Sequence, residues 1–164
     1  MFEPASLLKI AHSLLGVWFI AALVGRWVAI GAASRATEVK ALRGMLTVSS
    51  RFERQVRIVP TFVLILGIAT AVAQGRPFLG PLQGAPVDWL FASLVLFLSP
   101  LPLIPLVFLP RGKVFEAALN DAEEKGVITE QLSVAFRDPV VFAAHLYELG
   151  VVLVVLVLMI AKPF

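Results

Sequence analysis

The chain has 164 residues, of which 59% are apolar, with no cysteine and a formal charge of +3. Its mean hydropathy of +0.92 is too high for a soluble domain of this size. Without cysteine it has no disulfide, thiolate metal site, iron–sulfur cluster or covalent c-type haem, and its basic residues flank apolar runs without interleaved aromatics, which argues against a nucleic-acid surface.

A helix crossing a ~30 Å hydrocarbon core needs about 20 apolar residues, and four runs meet that demand. The first extends from about Leu7 to Ala33 (7–33), entered through Glu3-Pro4. It contains Lys9, which can snorkel to the headgroups, and also His12 and Arg26. The 14 residues between His12 and Arg26 bring them back to within about 40° of each other, about 21 Å apart along the axis. A secretory signal peptide is excluded by the length of the run and by Arg26 within it.

Residues 34–57 carry six Lys/Arg against two acids. Ala41, Leu42, Met45 and Leu46 form a partial stripe, which predicts an amphipathic helix on the membrane surface that contacts anionic lipid. The second run, 58–74, tolerates Pro60 in its first turn and stops at Gly75. The loop GRPFLGPLQGAPV follows, and Asp88 then caps a third run over 89–109. Pro100, Pro102 and Pro105 must break or kink that run, because each lacks an N–H and clashes with the preceding turn. Between 111 and 138, KVFEAALNDAEEKG has an apolar side and a terminal glycine, the pattern of a second surface helix.

The last run, 139–161, opens on Asp138-Pro139, an N-cap followed by a proline suited to the first helical turn. It is apolar except for His145 and Glu148, three residues apart and therefore near neighbours on the helix. Groups of this kind inside a bilayer need partners on other helices.

If all four runs cross, ten Lys/Arg lie on one side and Lys9, Arg76 and Lys162 on the other. The positive-inside rule then puts loops 34–57 and 111–138 in the cytoplasm and both termini outside. Arg26, His145 and Glu148 fall at one cytoplasmic-side depth, with Arg57 and Thr61 entering there. His12 falls in the outer leaflet near Asp88, Gln74 and Met159. The two histidines are then about 15–20 Å apart by helical rise, too far to share one haem unless the third run is re-entrant.

Arg26 with Glu148 reads either as an ion pair that fixes packing or as an anion- or proton-handling site. His145 is either a ligand oriented by Glu148 or that residue's hydrogen-bonding partner. His12 is either an axial haem ligand or a polar residue bonded across helices. Two distant histidines and three methionines build no soft-metal site, so no metal residue is assigned.

At LKIAH, Trp18 and Arg26 the first run resembles small bacterial four-helix membrane proteins related to HemJ and to CopD-like copper-resistance proteins, and the ending on MIAKP is similar to an uncharacterised integral-membrane family near them. The resemblance implies haem b at His12 and, in HemJ-type proteins, oxidation of protoporphyrinogen. The third run lacks the lysine expected of HemJ.

The expectation is therefore an all-α integral membrane protein, one domain over 1–164: a bundle of four transmembrane helices with two amphipathic cytoplasmic surface helices, in a bacterial inner membrane. It would bind haem b or a related porphyrin through His12, with Arg26, Glu148 and His145 serving propionates or a proton path. The alternative is a non-catalytic accessory or assembly subunit, joined to a membrane protein partner or to copies of itself. No reaction follows from the residues, so whether it is an enzyme stays open.

Overall fold

A computed structural model describes residues 3–164, which are helical with no strand among them. Helix α1 is Pro4–Ala33 and α2 is Val39–Ala73. A short 3-10 turn, Gly80–Gln83, precedes α3, Trp89–Leu98. A π-helical turn at Ile104–Phe108 leads into α4, Leu109–Lys125. The chain ends with α5, Glu130–Phe136, and α6, Pro139–Ala161. Among the described residues, three stretches are long and apolar enough to cross a membrane: α1, α2 and the segment Glu130–Ala161.

Local chemistry sets the boundaries. The Asp88 carboxylate accepts from the Leu90 and Phe91 N–H groups at the start of α3, and that of Asp138 accepts from Val140 and Val141 at the start of α6. Each satisfies donors that a helix leaves unpaired at its first turn. Gly126 ends α4 in the left-handed region, φ 69°, which glycine enters without steric cost.

Helix α2 corrects one expectation. Residues 34–57 do not form a separate surface helix: after a short turn, α2 runs unbroken from Val39 into the apolar run and past Pro60. No glycine pair or proline lies between Val39 and Val59 to stop it. Its 35 residues give a rod of about 52 Å, longer than a bilayer core, so its basic first half projects beyond the apolar half.

Helices α1 and α2 form an antiparallel hairpin. Phe52 seats on Gly25, the Trp18 indole N–H donates to Gln55 at 2.9 Å, and His12 faces Val63. The proline-broken run pairs with α6. At one end the Trp89 N–H meets the Phe164 carbonyl at 3.4 Å, and at the other Arg111 donates to Asp138 at 2.6 Å. Midway, the Ser99 and Tyr147 hydroxyls are 2.7 Å apart. The segment 89–111 therefore follows α6 from end to end, although only its first ten residues are regular α-helix.

Two cores hold these parts. Phe19, Ala22, Leu23, Val56, Val63 and Val152 are buried where the hairpin meets α6, with Phe97 of α3 edge-on to Phe19. The second core lies at the basic end, where Ala33, Leu42, Ala118, Ala122 and Leu132 are buried between α4, α5 and the adjoining ends of α1 and α2.

Candidate functional site

The chemistry-bearing side chains gather in two places, at opposite ends of α1. Toward the basic end, Arg26 is almost wholly buried, 5% exposed, where α1, α2 and α6 meet. Its Nη1 donates to Glu53 Oε2 at 3.0 Å, and its Nη2 to Glu148 Oε2 at 2.5 Å. The same Nη2 is 3.0 Å from His145 Nδ1. A guanidinium only donates, so Nδ1 accepts there and the neutral ring carries its proton on Nε2. Glu148 Oε2 is also 3.3 Å from Nδ1. To donate to that oxygen, the ring would have to give up its bond to Arg26. Phe108 stacks on the imidazole, with centroids 4.9 Å apart.

This arrangement unites Arg26, His145 and Glu148, as their depth and charge imply. Glu53 was missed. Read as part of a surface segment, it had no reason to face inward; read on a continuous α2, it lies one turn before Arg57, which reaches it at 3.8 Å. Thr61 is exposed and outside the cluster. The void beside Arg26 measures about 10 Å³, scarcely one water. A porphyrin propionate has no room there, and the cluster is correspondingly a poor match for the propionate role expected of it.

The second place is a cavity of about 540 Å³ toward the termini, between the α1/α2 hairpin and the α3/α6 pair. Its volume is that of a site for a sizeable organic ligand. Phe19, Ile20, Leu64, Phe97, Val152 and Leu156 supply apolar wall, and His12, Gln74 and Met159 line it too. Asp88, expected both to cap the third run and to lie near His12, caps α3 and is not among the residues lining the cavity.

His12 Nδ1 is 3.0 Å from the Val63 carbonyl oxygen. A carbonyl only accepts, so Nδ1 carries the proton. In the neutral ring Nε2 then has a free lone pair, and no protein group bonds to it among the described residues. The ring lies against Gly67, where a Cβ would come within 3.0 Å of its Cε1. Glycine at 67 lets the histidine approach α2 closely enough to reach Val63.

The two histidines do not converge. His145 touches Arg26, which follows His12 by 14 residues, about 21 Å along α1. Among the described residues, no three His, Asp or Glu side chains gather as a metal site. At the mouth of the cavity, Lys9, Arg76 and Lys162 contribute charge. The sequence alone marks these three as topology signals, with Lys9 also able to snorkel to the headgroups, and does not join them, because they come from three distant segments.

No curated protein and no solved structure matches this chain. A family model described as "Predicted integral membrane protein (DUF2269)" matches residues 6–163, taking in the α1/α2 hairpin, the α3/α6 pair, the Arg26 cluster and the His12 cavity. The match covers nearly the whole chain, whose long apolar helices agree with that description, and the protein belongs to the DUF2269 family of integral membrane proteins.

Proposed function

We propose that the protein is a tetrapyrrole-binding membrane protein that takes haem b, or a related metalloporphyrin, in the His12 cavity. The observation that carries this reading is the committed Nδ1–H of His12. A histidine that ligates a metal commonly donates its other ring nitrogen to a carbonyl, which fixes the tautomer and aims the free lone pair. Here the Val63 carbonyl accepts that N–H, and the nitrogen left over belongs to a residue lining an apolar cavity of suitable size. Met159 lines the same cavity and would offer a thioether as a second ligand. The reading rests on the cavity rather than on the likeness of the first run to HemJ-type proteins.

In this reading the broken segment 89–109 is a fourth crossing, antiparallel to α6. Freed backbone groups at membrane depth are tolerated where protein covers them, and α6 lies alongside throughout. From their ten Lys/Arg we read residues 34–57 and 111–138 as lying on the cytoplasmic side of a bacterial inner membrane, with the cavity opening on the outer side.

The test is a reduced-minus-oxidised visible spectrum of protein purified in mild detergent, with and without added hemin. A b-type band is expected in wild type and in His145→Ala, and is expected to vanish in His12→Ala. No band in wild type after hemin, or a band indifferent to His12, refutes the assignment.

A second reading is favoured by the Arg26 cluster. Its enclosure, with almost no free volume, suits a packing lock better than a proton path, as in an accessory subunit without chemistry of its own. It predicts that Arg26→Met with Glu148→Gln preserves function while single charge removal lowers folded yield. Full-yield double and single variants that lose activity equally would refute it.

A further inference from the structure

The mouth of the His12 cavity carries three cations from three separate parts of the chain. Lys9 precedes His12 by one helical turn on α1, Arg76 follows α2, and Lys162 follows α6. Trp89, at the start of α3, holds two of them: the Arg76 guanidinium carbon is 5.6 Å from the indole centroid and the Lys162 ammonium 5.4 Å. Both lie within cation–π range. Lys162 reaches its position from a left-handed backbone, φ 46°, which costs a non-glycine residue energy and departs from the extended form favoured before proline.

Cations crowded on one ring repel each other, and carboxylates would ordinarily sit among them. Among the described residues, no carboxylate lies within salt-bridge distance of Lys9, Arg76 or Lys162. Asp88, the nearest acid in sequence to Trp89, spends its carboxylate on the α3 N-cap. The rim thus carries three cations that make no ion pair among the described residues, and His12 lines the same largely apolar cavity.

We infer that Lys9, Arg76 and Lys162 form a carboxylate clamp, and that the cavity selects a porphyrin bearing free acid side chains, held with its acid edge at the termini-bearing face. The inference rests on the tetrapyrrole reading and adds to it which edge of the ligand is recognised, and by what. It also moves the propionate role from Arg26, Glu148 and His145 to the other end of α1. Trp89 acts as a positioning residue that gathers Arg76 and Lys162.

The test separates the clamp from metal coordination by using metal-free ligand. The full chain in phosphatidylcholine nanodiscs is titrated with protoporphyrin IX and with its dimethyl ester, followed by porphyrin fluorescence, beside a hemin titration read at the Soret band. The diacid should bind at least about tenfold more tightly than the diester, the scale of one charged hydrogen bond, and the gap should narrow with salt in wild type. Arg76→Gln with Lys162→Gln should weaken the diacid and leave the diester where it was.

Equal affinity for diacid and diester overturns the clamp, even if a His12-dependent hemin band persists. A preference for the diacid without a His12-dependent band upholds the clamp and removes the axial ligand instead. If phosphatidylglycerol in the nanodisc abolishes the preference, the rim belongs to lipid phosphate and the clamp is overturned. No porphyrin binding of any kind overturns it as well.

Discussion

The guanidinium of Arg26 joins Glu53 of α2 to Glu148 of α6, so one cation bridges two acids from helices that are far apart in sequence. The two acids are unequal. The Glu53 side chain is 38% exposed and that of Glu148 only 14%. Arg26→Met therefore strands Glu148 more severely than Glu53. Removing one partner of a buried pair costs about 3–5 kcal/mol, and we expect a loss of that order in detergent thermal unfolding. Glu53→Gln should cost clearly less than Glu148→Gln; the reverse order would contradict the burial.

Gly67→Ala should act on His12 without unfolding the protein. The added methyl comes within 3.0 Å of His12 Cε1, so the ring must shift and its bond to Val63 must lengthen. If His12 holds haem as proposed, hemin affinity should fall about tenfold or more, the weight of one oriented bond at a ligating histidine, at unchanged thermal midpoint. Unchanged hemin binding in Gly67→Ala would show that the ring's seat on α2 does not matter.

Gly25 tests the hairpin itself. A Cβ there would lie 2.6 Å from Phe52 Cε1 and 2.7 Å from its Cζ. Small residues let membrane helices approach closely, and overpacking such a contact costs about 1–3 kcal/mol. Gly25→Ala should lower the unfolding midpoint, and Phe52→Leu added to it should recover part of the loss. An additive double variant would mean that the two side chains do not share the site.

The core at the basic end should respond separately. Leu132 and Leu42 are fully buried there, against Ala33 and Ala122. Leu132→Ala leaves a cavity worth about 2–5 kcal/mol. Hydrogen exchange should rise in α4 and α5, while the hemin spectrum stays as in wild type. Loss of the spectrum with Leu132→Ala would tie the two ends together more tightly than the packing implies.

Much of this was legible in the sequence. Asp138-Pro139 marks the start of α6 because the cap and the proline each serve a specific position, and the helix begins there. Arg26, His145 and Glu148 could be matched because buried charge demands an opposite charge at the same depth. Counting helical rise also put Gln74 and Met159 level with His12, and all three line one cavity. The continuity of α2 was hidden by its composition: a basic first half looks like a surface helix, although nothing in Val39–Val59 ends a helix. Losing that continuity lost Glu53. The cationic rim was illegible for a different reason, since Lys9, Arg76 and Lys162 come from distant segments and Arg76 and Lys162 meet only through the tertiary position of Trp89.

The pairing of Arg26 with Glu53 also orders events during synthesis. Both residues belong to the first hairpin, complete by Ala73, whereas Glu148 follows 75 residues later. A nascent chain must hand Arg26 to the lipid long before α6 has been translated. Because Glu53 arrives with the neighbouring helix, the arginine enters the bilayer with a counter-charge already beside it, and α6 later docks onto a prepared acceptor.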